Sequence, residues 1–245
     1  MSAILRFLIP YLVSMAVTSP LLLYYREKEE SWKFIPLFFA FGFVHTCLLV
    51  LPLGFESLDL IGGSWNWTGK LFSILGSILF YYLFRGGFSE NDFLNIGQKK
   101  GSLRYTLTGA ALLVAPSVMV AFFFSGELSM NLETLGFQLT MPGIDEEIAY
   151  RGVLLGLLAS SLYGEMKFGR LNLKHPGIWV TSILFGLAHG LRFNGVLQMD
   201  WFSFSMTFAV GFILAWITLK GRSILVPIVA HNLLNFSVQL TRMLK

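Results

Sequence analysis

Eight largely apolar stretches, most of them close to the length of a membrane-crossing helix and the sixth short, recur along this 245-residue chain. A helix needs about 20 such residues to cross the hydrocarbon core of a bilayer. The stretches lie at 4–25, 34–53, 68–84, 105–124, 144–162, 177–190, 201–219 and 223–240. Lipid offers the backbone no hydrogen bonds, so such stretches fold as helices that satisfy their own N–H and C=O groups. The expected fold is therefore all-α: a polytopic membrane protein, a bundle of about eight transmembrane helices, forming one integral-membrane domain over residues 1–245. Composition agrees, since 55% of residues are hydrophobic and 13% are charged, against about a quarter charged in soluble domains.

The amino end has one early basic residue, Arg6, and then an apolar run. The run exceeds the roughly 7–15 residues of a signal-peptide core and ends in no small-x-small site, so it reads as a retained first span. Residues 85–104, "RGGFSENDFLNIGQKKGSLR", read as a polar connection with room for a short interfacial helix, and 125–142 as a second long loop. The connections after spans one, three, five and seven hold 12 lysines and arginines, among them Lys28, Lys99, Lys167, Arg170 and Lys174. The other side holds five: Arg6, Lys70, Arg192, Arg242 and Lys245. Basic loops stay in the cytoplasm, so both termini are expected outside, in a prokaryotic inner membrane. The net charge of +4 is spread between apolar segments without a basic patch, which excludes nucleic acid as a partner and leaves the lipid bilayer. The single cysteine, Cys47, lies in an apolar run; it supports no disulfide framework and reads as a small buried hydrophobe.

An ionisable residue at the bilayer centre costs about 2.5–3.5 kcal/mol on insertion scales, so each one needs a partner or a task. "GIDEEIAYRG", residues 143–152, concentrates three acids and an arginine. On a helix starting just after Pro142 and Gly143, Glu147 and Arg151 stand four apart, the favourable order for an ion pair. Glu146 is rotated about 100° away and has no basic residue within three or four positions. Asp145, near the expected helix start, reads as a capping or interfacial residue. The sixth span carries Phe185 and His189 on one face, and the eighth carries His231 and Asn235. In a bundle with inward polar faces these groups can meet in one cavity. His45 reads as a packing or interhelical hydrogen-bonding residue, and His175 as a loop residue.

"EEIAYR" (146–151) fits EExxxR, "FGLAH" (185–189) fits FxxxH and "HNLLN" (231–235) fits HxxxN. In this order and spacing the motif-bearing core, residues 142–236, resembles the CPBP (Abi) family, which contains the CAAX prenyl endopeptidases of the Ras-converting type. The first 140 residues match only in hydropathy. The resemblance implies an intramembrane endopeptidase that hydrolyses a peptide bond of a membrane-associated, including lipidated CAAX-type, peptide or protein. It implies that Glu146 with His189 activates a water and that His231 and Asn235 bind the oxyanion. Glu147 and Arg151 would then be supporting residues, and Phe185 would pack beside His189. No cofactor is expected. A zinc-dependent protease using Glu146, His189 and His231 as ligands is the competing chemistry, although the sequence has no HExxH. The non-enzymatic alternatives are a membrane immunity or partner protein, which would keep the motif residues as bundle glue, and a proton-coupled transporter, whose relay has no need of the amide of Asn235.

Overall fold

In the computed structural model, which describes residues 3–26, 31–88, 91–168, 171–172 and 175–245, the apolar stretches become helices. They are α1 (Ala3–Tyr25), α2 (Ser31–Gly54), α3 (Trp67–Leu83), α4 (Leu103–Phe124) and α5 (Leu132–Glu147). α5 continues without a break through a π-helical segment (Ile148–Leu154) into α6 (Leu155–Ser161). α7 (Pro176–Gly190), α8 (Trp201–Gly221) and α9 (Leu225–Met243) complete the set. With α5 to α6 taken as one rod, the described residues form eight helical rods, and the fold is all-α apart from two short hairpins. Lys28, Arg170 and Lys174, counted in the charge asymmetry, lie outside the described residues, as does the side chain of Lys167.

Among the described residues four rods are long and apolar enough to cross a membrane: α1, α2, α4 and α8. Their outward residues, such as Leu12, Val17, Leu112, Phe123 and Phe202, are exposed apolar side chains of the kind lipid covers. The remaining rods carry the polar residues or are short. α7, with 15 residues, is about 22 Å long at 1.5 Å per residue, against about 30 Å of hydrocarbon. The α5–α6 rod lies at the centre: Val153, Leu155, Leu157 and Leu158 are fully buried, and the π segment touches α2, α3, α7 and α8. α9 packs on α4 and α5, α7 on α8, and α1 on α2 and α7.

The fifth helix begins 12 residues earlier than the sequence suggests, at Leu132 where 144 was expected. Asn131 caps it, its side chain accepting from the Thr134 N–H at 2.8 Å. Pro142 therefore lies inside a helix. Proline removes one donor from the ladder, and here the next donor is taken by a neighbouring helix: the Gly143 N–H donates to Asn232 Oδ1 of α9 at 2.7 Å. A β-carbon at Gly143 would stand 2.5 Å from that oxygen, so only glycine admits α9 this closely. A proline in a membrane helix is tolerated on these terms, with a neighbour satisfying the freed backbone. In consequence Glu146 is near the middle of a long rod and not in a first turn.

The start of α1, the α2–α3 and α4–α5 connections, the α7–α8 connection and the end of α9 share one end of the bundle. The Ser64 N–H donates to Glu133 at 2.8 Å and the Leu128 N–H to the Arg242 carbonyl at 2.9 Å. At the opposite end the Tyr163 N–H donates to the Tyr25 carbonyl and the Lys99 N–H to the Gly221 carbonyl, each at 2.8 Å. There residues 85–104 contain a 3-10 turn (Arg85–Phe88), and no other helix starts before Leu103 among the described residues. Buried Phe88 and Phe93 tuck this segment under the bundle in place of the expected interfacial helix. His175 is more than a loop residue: its Nδ1 accepts from the Gly177 N–H at 3.0 Å, capping α7. Cys47 is half-buried.

Candidate active site

A cavity of about 680 Å³ opens between α1, α2 and α7 at the first of these ends. Its walls include Phe7, Pro10, Tyr11, Leu49, Leu53 and Leu184, its mouth Arg6 and Arg192, and its polar floor Glu146, Lys70, Asp145, His45, Tyr150 and His189. A hairpin, β1 (Leu191–Phe193) with β2 (Leu197–Met199), follows α7 at the mouth and packs against α1. Asp200 closes it: it caps α8 by accepting from the Ser203 N–H at 3.0 Å and holds Arg192 at 3.2 Å. Those Ser203 contacts hold its carboxyl below the usual carboxylate range.

The three motifs meet around Glu146, with Glu146 and His189 lining the cavity and His231 buried just behind them. Glu146 Oε2 stands 3.9 Å from His189 Nε2 and 3.9 Å from His231 Nε2. It is buried and accepts no hydrogen bond. Each imidazole is turned by its other nitrogen. The His189 Nδ1–H donates to the Phe185 carbonyl at 2.8 Å. The His231 Nδ1–H donates to Glu147 Oε1 at 2.8 Å. A bond at Nδ1 leaves Nε2 with a free lone pair in the neutral ring, so both rings direct an acceptor nitrogen at the same carboxylate oxygen.

Behind this layer, Glu147 Oε2 and Arg151 Nε pair at 3.2 Å with both side chains fully buried. Neither atom has hydrogen-bond geometry in that contact, so the attraction is one of charge. Arg151 Nη2 also donates to the Gly211 carbonyl at 3.1 Å, and its guanidinium lies 4.6 Å over the Phe185 ring. That ring touches His189, His231 and Tyr150 at centroid distances of 4.6, 5.8 and 5.2 Å. Phe185 thus packs beside both histidines and not His189 alone. The π segment begins immediately after Glu147; π-bulges occur frequently at functional sites.

Asn235 is half-buried one turn beyond His231. It does not line the cavity, and its neighbour Asn232 makes the contact to α5.

Sequence reasoning missed a second network. Lys70, counted as a loop charge, projects from α3 into the bundle, where its Nζ donates to Glu146 Oε1 and to Asp145 Oδ2, both at 2.8 Å. Asp145 is fully buried and not a capping residue; its Oδ1 accepts from His45 Nε2–H at 3.1 Å and from the Ser73 hydroxyl. His45 is interhelical, as expected. Gly69 lets α3 approach closely enough, since a β-carbon there would meet the Leu49 carbonyl oxygen at 2.1 Å. A lysine in an apolar stretch that also holds Gly69, Ser73 and Ser77 was the available signal. The acid that lacks a partner on its own helix takes one from another.

Residues 129–237 match the family model described as type II CAAX prenyl endopeptidase, Rce1-like. Over this stretch the chain is similar to the CAAX protease family. The match begins just before α5 and ends within α9, so it encloses every motif residue of the cavity floor and omits Lys70 and His45. A CAAX-type intramembrane protease acts on a peptide or protein in a membrane context, and the four apolar rods make the chain an integral membrane protein. The comparisons with curated proteins and with solved structures return no match.

Proposed function

We propose that this chain is a glutamate-dependent, metal-independent intramembrane endopeptidase in which Glu146 is the general base. The observation that carries this is the Glu146 Oε2 atom: buried, without a hydrogen bond, and faced by two imidazole nitrogens at 3.9 Å on the floor of a cavity. A water between Glu146 Oε2 and His189 Nε2 would meet two acceptors at hydrogen-bonding range. It gives a proton to Glu146 as its oxygen bonds to the scissile carbonyl carbon, and the carbonyl π pair moves onto oxygen. Collapse of this intermediate breaks the C–N bond, and the proton passes from Glu146 to the departing nitrogen. The products are a new carboxyl and a new amino terminus. Lys70 holds Glu146 by its other oxygen, and His231, held by Glu147, stands beside Oε2. The His231 and Asn235 oxyanion roles rest on family resemblance.

The zinc alternative fits the donor set poorly. The carboxylate is already engaged by the Lys70 ammonium, which repels a second cation beside it. Cleavage of a membrane-tethered peptide is expected to persist after exhaustive chelation; loss that zinc alone restores would refute the metal-independent reading.

The substrate class follows from the cavity and the charge asymmetry. The walls suit an apolar, membrane-associated peptide, lipidated CAAX-type tails included. The mouth lies at the end with fewer lysines and arginines, and Lys70, buried in the site, removes one more. By the positive-inside rule this end faces away from the cytoplasm, in our reading across a prokaryotic inner membrane, so peptide enters from that side. Exposed Lys99 and Glu127 sit at opposite ends. In intact cells, Glu127→Cys is expected to react with an impermeant maleimide from outside while Lys99→Cys stays protected. The reverse pattern overturns the orientation and returns the site to cytosolic substrates.

A further inference from the structure

The general-base reading leaves one question of chemistry: which group, beside the His231 and Asn235 of the family resemblance, takes the negative charge that develops on the scissile carbonyl oxygen. A lysine ammonium carries three donors. On Lys70, two are used, by Asp145 Oδ2 and Glu146 Oε1, and no acceptor among the described residues takes the third. The side chain is nine-tenths buried, yet it lines the cavity beside Glu146 and His189. Its position is fixed from below: Asp145, itself held by His45 and Ser73, anchors the ammonium. A substrate carbonyl attacked by a water on Glu146 lies within reach of the nitrogen that holds the same carboxylate.

We propose that Lys70 is a catalytic residue of this enzyme, its third N–H donating to the scissile carbonyl oxygen and stabilising the oxyanion. The inference rests on the general-base reading of Glu146. It assigns the three acids and the lysine distinct tasks. Glu146 takes the proton, Lys70 takes the developing charge on oxygen, Asp145 holds Lys70 in place, and Glu147 orients His231. A full positive charge in a site away from bulk water is most effective where the substrate becomes negative only in the transition state. The arrangement also couples the two steps, because the ammonium that polarises the carbonyl contacts the carboxylate that activates the water.

The test uses the full chain in liposomes with a membrane-tethered peptide and with a phosphinate analogue of it, whose anionic tetrahedral centre imitates the intermediate. Lys70→Met is expected to lower kcat by about 10²–10³-fold, as loss of an oxyanion donor does, with KM unchanged and phosphinate affinity falling in parallel. Because a lone Lys70→Met leaves Asp145 buried without its partner, Lys70→Met/Asp145→Asn is measured beside it, with melting temperature and retained KM reporting the fold. The same losses in the double variant support the assignment. A kcat that stays at the wild-type value in either variant overturns it. So does a kcat that falls while the phosphinate binds as tightly as to wild type, which would make Lys70 a positioning residue for Glu146. Turnover that survives Glu146→Gln sinks the general-base reading and this inference together, whereas turnover lost in Glu146→Gln but retained in Lys70→Met sinks this one alone.

Discussion

Glu146→Gln is expected to lower peptide cleavage by about 10²–10⁴-fold, the range a positioned general base contributes, while the protein stays folded. The substituted amide keeps the shape of the carboxylate, and its oxygen can still accept from Lys70 in place of Oε1. Its nitrogen then occupies the place of Oε2, the atom between His189 and His231, and a nitrogen that already carries two hydrogens cannot take a proton from water. Turnover of a tethered peptide by purified protein, with melting temperature recorded beside it, checks both halves of this expectation. Undiminished cleavage by a folded variant would remove Glu146 from the chemistry. The same pair of proteins serves to find the substrate: peptides cut in membranes holding the wild type should remain whole in membranes holding Glu146→Gln.

Arg151→Ala is expected to destabilise the chain by about 3–5 kcal/mol, the cost of breaking a buried ion pair by removing one partner. Glu147 and Arg151 are both fully buried. Without the guanidinium, Glu147 keeps one bond, from His231, and its other oxygen has none. The Phe185 ring also loses the cation stacked on it, and with it the support of both histidines. Thermal unfolding in detergent measures the loss. The double change Arg151→Met/Glu147→Gln should recover most of it, because exchanging a whole buried pair for neutral groups is often neutral or better. Cleavage should stay impaired in that double variant, since the His231 Nδ1–H no longer donates to a carboxylate at residue 147. Recovery of stability and activity together would mean that Glu147 serves only as a counter-charge to Arg151.

Relations between residues within a turn of one another could be read from the chain. Glu147 with Arg151, and Phe185 with His189, are neighbours because an α-helix brings positions four apart onto one face; the structure has the first pair at 3.2 Å and the second in ring contact. The apolar stretches gave helices within a few residues of their bounds wherever apolar residues ran uninterrupted, as in α1, α2, α4 and α8. Pro142 misled, because proline and glycine usually end helices. A donor lost from that ladder is harmless only when a second helix stands close by, as α9 does at Gly143.

The sequence by itself determined that this is a helical membrane protein and that Glu146 has no basic partner on its own helix. Hydrophobic period and i, i+4 spacing are properties of a single chain segment, which is why they survive without a fold. Tertiary structure alone decided what Glu146 has instead. Lys70 is 76 residues away in sequence and 2.8 Å away in space, and His189 and His231 arrive on two further helices. Which faces of four helices turn to one carboxylate depends on packing, on close approaches at Gly69 and Gly143, and on the π segment after Glu147. No local pattern encodes those contacts, because each is the joint result of many side chains filling one interior.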